Sequence, residues 1–151
     1  MTEIDYMKQA LKEAEKAYKE DEVPIGAVIV QNGKIIARGH NIRERKTSAL
    51  WHAEMAAIDK ACRKLGTWHL DDCDLYVTLE PCPMCAGAMI QSRIRNVYYG
   101  AYDPKGGSVH SLINLYEVKG YNHYPATKGG ILEEECAVLL KRYFKEKRKK
   151  K

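Results

Sequence analysis

The chain has no apolar run long enough to cross a membrane, no internal repeat and no Gly/Ser/Pro-rich linker. A membrane-spanning helix needs about 20 mostly apolar residues, so no span is expected. With 151 residues and no linker, a single compact domain over 1–151 is expected, large enough to bury a core without covalent staples. The opening stretch, MTEIDYMKQALKEAEKAYKE, mixes acids and bases throughout and lacks an apolar core segment. It does not read as a secretory signal, and a reducing cytoplasm is the expected compartment. The cysteines number five, and an odd count in that compartment argues against a disulfide framework. Cys62, Cys73 and Cys136 stand singly in apolar stretches and are expected to be small buried hydrophobes.

Apolar residues make up 45% and charged residues 30%, the balance of an ordinary globular protein. The net charge is +5, and much of the surplus lies in KRYFKEKRKKK from position 141. Two readings stay open for this basic tail. It is a solvated end, or it is a patch that holds phosphates, since clustered Lys and Arg gain affinity by releasing counterions from a nucleic acid.

Apolar spacing predicts a first helix over 3–20, with Thr2 and Asp5 as a capping pair. PIGAVIV, then Gln31-Asn32-Gly33-Lys34, then IIARGH reads as a hairpin over 24–40, because Asn-Gly suits a tight turn with positive φ. A helix over 52–65 stops at Gly66. Residues 75–79 read as a strand, 82–92 as a helix opened by Pro81, and 96–101 as a strand. A short helix is expected within 111–117, irregular or weakly extended chain over 118–127, and a closing helix over 131–148. This order implies an α/β fold with a single mixed sheet covered by helices on both faces.

The chemistry concentrates at TLEPCPMCAGAM (78–89) and WHAEM (51–55). Cys82 and Cys85, three apart in the first turn of a helix, point to one side. The helix N-terminus favours negative charge and prepares both thiols as thiolates. That is half of a zinc site. A structural zinc wants two further ligands, usually a second C-x-x-C or an H-x-H pair, and neither is present. A catalytic zinc needs only three protein ligands and an open position, and His52 is the best third ligand. Glu54, two residues on, diverges from His52 and is free to handle the proton of a zinc-bound water.

H-A-E followed by P-C-x-x-C is the signature of zinc-dependent nucleobase deaminases. At EVPIGAVIV (22–30), HAEM (52–55), LYVTLEPCPMCAGAM (75–89), YGAYDPKGG (99–107), SLINL (111–115), the Asn122-His123 pair and GILEEEC (130–136) the chain closely resembles bacterial tRNA-specific adenosine deaminases. The resemblance covers nearly the whole chain. It implies the cytidine-deaminase-like three-layer α-β-α fold, with a sheet of about five strands. It implies one zinc per chain on His52, Cys82 and Cys85, with Glu54 as the proton shuttle and no organic cofactor. It implies adenosine-to-inosine conversion at the wobble position, a tRNA anticodon arm as partner, and a homodimer with no membrane association. Asn41 would bind the flipped base or its ribose, and Asp103, Lys105, Asn122 and His123 match positions near the RNA.

Two segments depart from the family. Ala49-Leu50-Trp51 stands where Pro-Thr-Ala is usual, and Ser108-Val109-His110-Ser111 replaces small residues ending in Gly-Ser. Trp51 and His110 are therefore candidate specificity residues. They keep open an alternative, a deaminase of a free nucleobase or nucleoside. A non-catalytic, RNA-binding zinc module is a further rival.

Overall fold

In the computed structural model, which describes residues 1–149, five strands form one sheet in the order β2-β1-β3-β4-β5. The elements run α1 (Glu3–Lys19), β1 (Gly26–Gln31), β2 (Lys34–His40), α2 (Arg43–Lys46), α3 (Ala53–Leu65), β3 (Cys73–Leu79), α4 (Pro83–Gln91), β4 (Asn96–Ala101), β5 (Ala126–Lys128) and α5 (Glu133–Lys149). A 3-10 turn at Leu115–Glu117 is all that forms of the short helix expected within 111–117. The β1–β2 and β1–β3 pairings are antiparallel, whereas β3–β4 and β4–β5 are parallel. The sheet is therefore mixed, as the element order implied. α4 is the crossover that parallel pairing of β3 and β4 requires.

Strand alternation sorts the core into two layers. Ala27, Ile29, Leu75, Val77, Val97 and Tyr99 pack with α3 and α4 through Ala53, Ala57, Ala86 and Met89. The intervening Val28, Val30 and Tyr76 pack with α1 through Tyr6, Met7 and Ala10, and with Cys136 of α5. Helices thus cover both faces, the three-layer arrangement expected. Cys73 and Cys136 are buried, Cys62 is partly so, and all three are free thiols.

Local signals largely hold. Thr2 and Asp5 form the capping box of α1. Asn32 and Gly33 take φ of 51° and 76° in the hairpin turn. Gly66 ends α3 in the left-handed conformation. Pro81 does not open α4: Cys82 is its N-cap, and Pro83 takes the first helical position, where the missing N–H costs nothing. From residue 141 through Lys149 the basic segment is helical, and residues 150 and 151 lie outside the described ones. It is also tethered: Lys147 pairs with Asp21 at 2.9 Å, and the Tyr143 hydroxyl donates to the Asp21 carbonyl at 3.1 Å.

One close approach seats α3 against the sheet. A Cβ on Gly39 of β2 would lie 2.5 Å from the Ala53 carbonyl oxygen. Only glycine lets the first turn of α3 rest directly on the strand.

The loop after β4 is held from beneath by a residue that sequence reading did not single out. Glu80 is 2% exposed. Its carboxylate accepts backbone N–H bonds from Asp103 (3.1 Å), His110 (2.9 Å) and Ser111 (2.8 Å), and the Ser111 hydroxyl at 2.5 Å. Burial alone would raise its pKa. The hydrogen bonds from Ser111, Asp103 and Val109 outweigh burial and hold the carboxyl below its ordinary range. A carboxyl so depressed contributes stability that is full above the ordinary carboxylate range and is lost as pH falls through its folded value. Glu80→Ala would strand several donors, each worth roughly 1–3 kcal/mol. A loss of at least about 2 kcal/mol is expected, a fall of roughly 4–8 °C in the thermal midpoint. Glu80→Gln, which keeps an acceptor oxygen, is expected to lose less. A Glu80→Ala midpoint within about 1 °C of the parent would contradict this role.

Candidate metal centre and active site

Both halves of the centre are helix starts. His52 is the N-cap of α3 and Cys82 the N-cap of α4. Both have extended backbone, with φ, ψ of −73°, 159° and −75°, 173°. An N-cap side chain ordinarily folds back onto the amides of the first turn. Neither His52 nor Cys82 does so, and both point at each other instead. His52 Nδ1 lies 3.6 Å from Cys82 Sγ and 3.6 Å from Cys85 Sγ. These three ligand atoms all lie within 4.8 Å of one another, the metal-capable cluster found among the described residues. Cys85 is fully buried, while His52 and Cys82 are partly exposed, so the cluster opens to solvent on one side.

The electrostatics prepare Cys82 as a thiolate, the form a cation requires. The Cys82 thiol is pulled down to about 4, chiefly by the hydrogen bond from Cys85 and also by His52, against the opposing effect of burial. The Cys85 thiol is pushed up, because it donates that hydrogen bond and because it is buried. His52 is shifted toward its charged form by Cys82. The helix N-termini add positive potential from two directions.

Glu54 is 4% exposed, two residues beyond His52 in the first turn of α3. Burial first, then the Cys82 charge, raise its carboxyl above the ordinary range, while its own backbone N–H and His52 oppose the rise. Tyr116 closes this region from the α4 side, donating its hydroxyl to the Ala86 carbonyl at 3.0 Å.

Asn41 comes directly after β2 and is 3% exposed, and its backbone N–H donates to the Ile25 carbonyl at 3.1 Å. Its Oδ1 is buried without a hydrogen-bond partner. A buried amide oxygen left open is costly unless a ligand meets it. Asn41 also lines a cleft of about 490 Å³ with Glu22, Arg43, Tyr143 and Lys147, so the basic end of α5 borders the same cleft.

The other anticipated contacts lie in loops outside the His-Cys-Cys cluster. Asp103 caps its own turn, accepting from the backbone N–H of Lys105 (3.1 Å) and Gly106 (3.2 Å). Lys105 and Asn122 are exposed. His123 is partly buried, with Nε2 2.6 Å from the Ile94 carbonyl oxygen. His110 is exposed, its ring 5.3 Å from that of Tyr102. The Trp51 ring lines a groove with His40, Ala56 and Lys60.

Among the buried carboxylates that sequence reading missed, Glu80 and Glu22 hold loops by their backbone N–H groups. The Glu22 carboxylate accepts from the backbone N–H of Glu44 (3.0 Å) and Arg45 (2.9 Å), fixing the start of the loop between Asn41 and His52. The available signal was an acidic residue beside an apolar run, in EVPIG and in TLEP.

Comparison with known proteins agrees with this geometry. The MafB19-like deaminase family matches residues 1–146. A tRNA-specific adenosine deaminase of Bacillus subtilis (strain 168) is 56% identical over 146 residues, 97% of this chain and 91% of that one. A tRNA-specific adenosine deaminase of Rickettsia bellii (strain RML369-C) is 48% identical over 141 residues, 92% of this chain and 97% of that one. Among solved structures, one from a study of A-to-I editing by tRNA:A34 deaminases at the wobble position of transfer RNA superposes with a TM-score of 0.88. It is 47% identical and covers 90% of this chain and 99% of that one. The chain belongs to the MafB19-like deaminase family, among relatives that are tRNA-specific adenosine deaminases.

Proposed function

We propose that the protein hydrolytically deaminates adenosine to inosine at the wobble position of a tRNA anticodon loop. One observation carries the reading: a His-Cys-Cys cluster with a buried Glu54 beside it, in a chain 56% identical over 97% of its length to a tRNA-specific adenosine deaminase.

The donor set fits one zinc per chain. One imidazole nitrogen and two sulfurs, open to solvent on one side, match a three-ligand catalytic site. When bound, the zinc supplies a water acidic enough to react at neutral pH. Glu54, held at the start of α3 and nearly shut off from solvent, would accept a proton from the attacking water. It would pass that proton to the purine ring nitrogen next to the reacting carbon, then take the remaining one from the new hydroxyl on that carbon and give it to the departing ammonia as the C–N bond breaks. The open Oδ1 of Asn41 meets the flipped nucleoside. The basic end of α5 would hold RNA phosphates through cations beyond Lys147, which is paired with Asp21 beside the cleft that Asn41 lines.

A homodimer is supported by an apolar groove along α3 and α4, about 510 Å³, lined by Ile58, Cys62, Trp68 and Ala88. Trp68 is 57% exposed there, a position that burial against a second copy would favour. No helix among the described residues is long and apolar enough to cross a membrane. Free thiols and a tRNA substrate favour the cytoplasm.

Glu54→Ala is expected to keep one zinc per chain, measured by metal analysis, and to lose roughly 10²–10⁴-fold in inosine formation. Full activity in that variant would remove Glu54 from the reaction, and a zinc-loaded parent that binds the RNA but forms no inosine would favour a non-catalytic RNA-binding module. Cys85→Ala is expected to lose the zinc, and unchanged metal content would refute the ligand set. The substrate is decided on an anticodon stem-loop with adenosine at the wobble position, assayed beside free adenosine, adenine, guanine and cytosine. Inosine in the stem-loop and little ammonia from the free compounds are expected. Ammonia from a free base with an untouched stem-loop would establish the free-base alternative.

A further inference from the structure

We propose that the groove beside Trp51 binds one unpaired nucleotide of the substrate RNA adjacent to the target adenosine, with its base stacked on the indole and its phosphate on Lys46. The inference rests on the tRNA reading above and assigns a subsite to it.

The groove is about 270 Å³, suited to one planar group rather than a helix or strand, and Trp51 and Ala56 supply its apolar wall. Arg45, Lys46 and Lys60 supply cationic walls against a single carboxylate, Asp59. Asp59 is already bonded to Arg63 at 3.1 Å. Two of the cations are engaged in the protein: Arg45 pairs with Glu20 at 2.9 Å, and Lys60 donates to the Arg38 carbonyl at 2.9 Å. Lys46 instead lies over the Trp51 ring, its Nζ 5.5 Å from the centroid. It is exposed and flexible, so a base arriving on the indole can displace it toward the flanking phosphate. An aromatic face rimmed by cations is what unpaired nucleotides recognise, by stacking and charge together. A protein partner would need a wider apolar surface than this groove offers.

Position supplies the link to the reaction. Trp51 immediately precedes His52 in the chain. Its carbonyl accepts the Ile42 N–H at 3.1 Å, and Ile42 is the residue next after Asn41. The groove is therefore one residue from the metal cluster along one wall and one residue from Asn41 along the other. In this proposal the groove takes the nucleotide next in the strand to the one that reaches Glu54. The departure at Trp51 thus builds an adjoining subsite, and the base pocket itself need not change.

The zinc-loaded full chain is assayed on the wobble-adenosine stem-loop. Trp51→Ala is expected to raise KM roughly ten-fold with kcat within about two-fold, and Trp51→Phe to keep most of the affinity, as loss of one stacked base predicts. An abasic nucleotide on one side of the target is expected to erase the difference between the parent and Trp51→Ala. Binding is read independently as indole emission lost on RNA addition, present in the parent and absent from Trp51→Phe. Equal KM for the parent and Trp51→Ala, or Trp51 emission unchanged at saturating RNA, would overturn the subsite. If Trp51→Ala folds poorly, the emission comparison with Trp51→Phe decides alone. A parent that shows the quench yet forms no inosine would refute the wobble reaction while upholding the groove as an RNA site.

Discussion

Two helices that begin side by side without their own caps set the terms for the rest of this molecule. α3 starts at His52 and α4 at Cys82, and each gives up an N-cap hydrogen bond worth roughly 0.5–2 kcal/mol so that its first side chain can face the other. The sheet makes the meeting possible. β3 leads directly into α4, and Gly39 of β2 lets α3 lie close enough that its first turn touches the strand. The helix ends are part of how the site works, since their positive potential stabilises the thiolates that a cation requires.

Loops on either side of this centre are each fixed by a buried carboxylate. Glu22 receives two backbone N–H groups from the start of α2, and Glu80 receives those of the loop from Asp103 to Ser111. Glu80 also stands two residues before Cys82, so one short segment sets both a member of the His-Cys-Cys cluster and the loop that Glu80 holds. Such carboxylates do for a loop what a ladder does for a strand. They give buried amides a partner and leave a single arrangement.

Much of the architecture was legible in the sequence because the relevant signals are local. The Asn32-Gly33 turn, the Thr2–Asp5 capping box and the stop at Gly66 depend on a few adjacent residues and appear as read. The His52-Cys82-Cys85 cluster was legible because zinc chemistry restricts which residues can serve and how far apart they stand. Long-range facts were not. β5 is three exposed residues whose identity as a strand exists only through pairing with β4. The carboxylates of Glu22 and Glu80 look like surface charges until the loops that cover them are in place. Trp51 stands next to His52 in sequence, yet its ring lines a groove with Ala56 and Lys60 of α3, a direction that no spacing rule encodes.

X-ray absorption at the zinc edge of the metal-loaded protein tests most directly whether two helix starts form one catalytic centre. Two sulfur neighbours, one imidazole nitrogen and one light exchangeable neighbour are expected, matching Cys82, Cys85, His52 and an open position. A shell of four sulfurs, or one without imidazole, would mean that the two helix starts do not share a metal and would contradict a common catalytic centre.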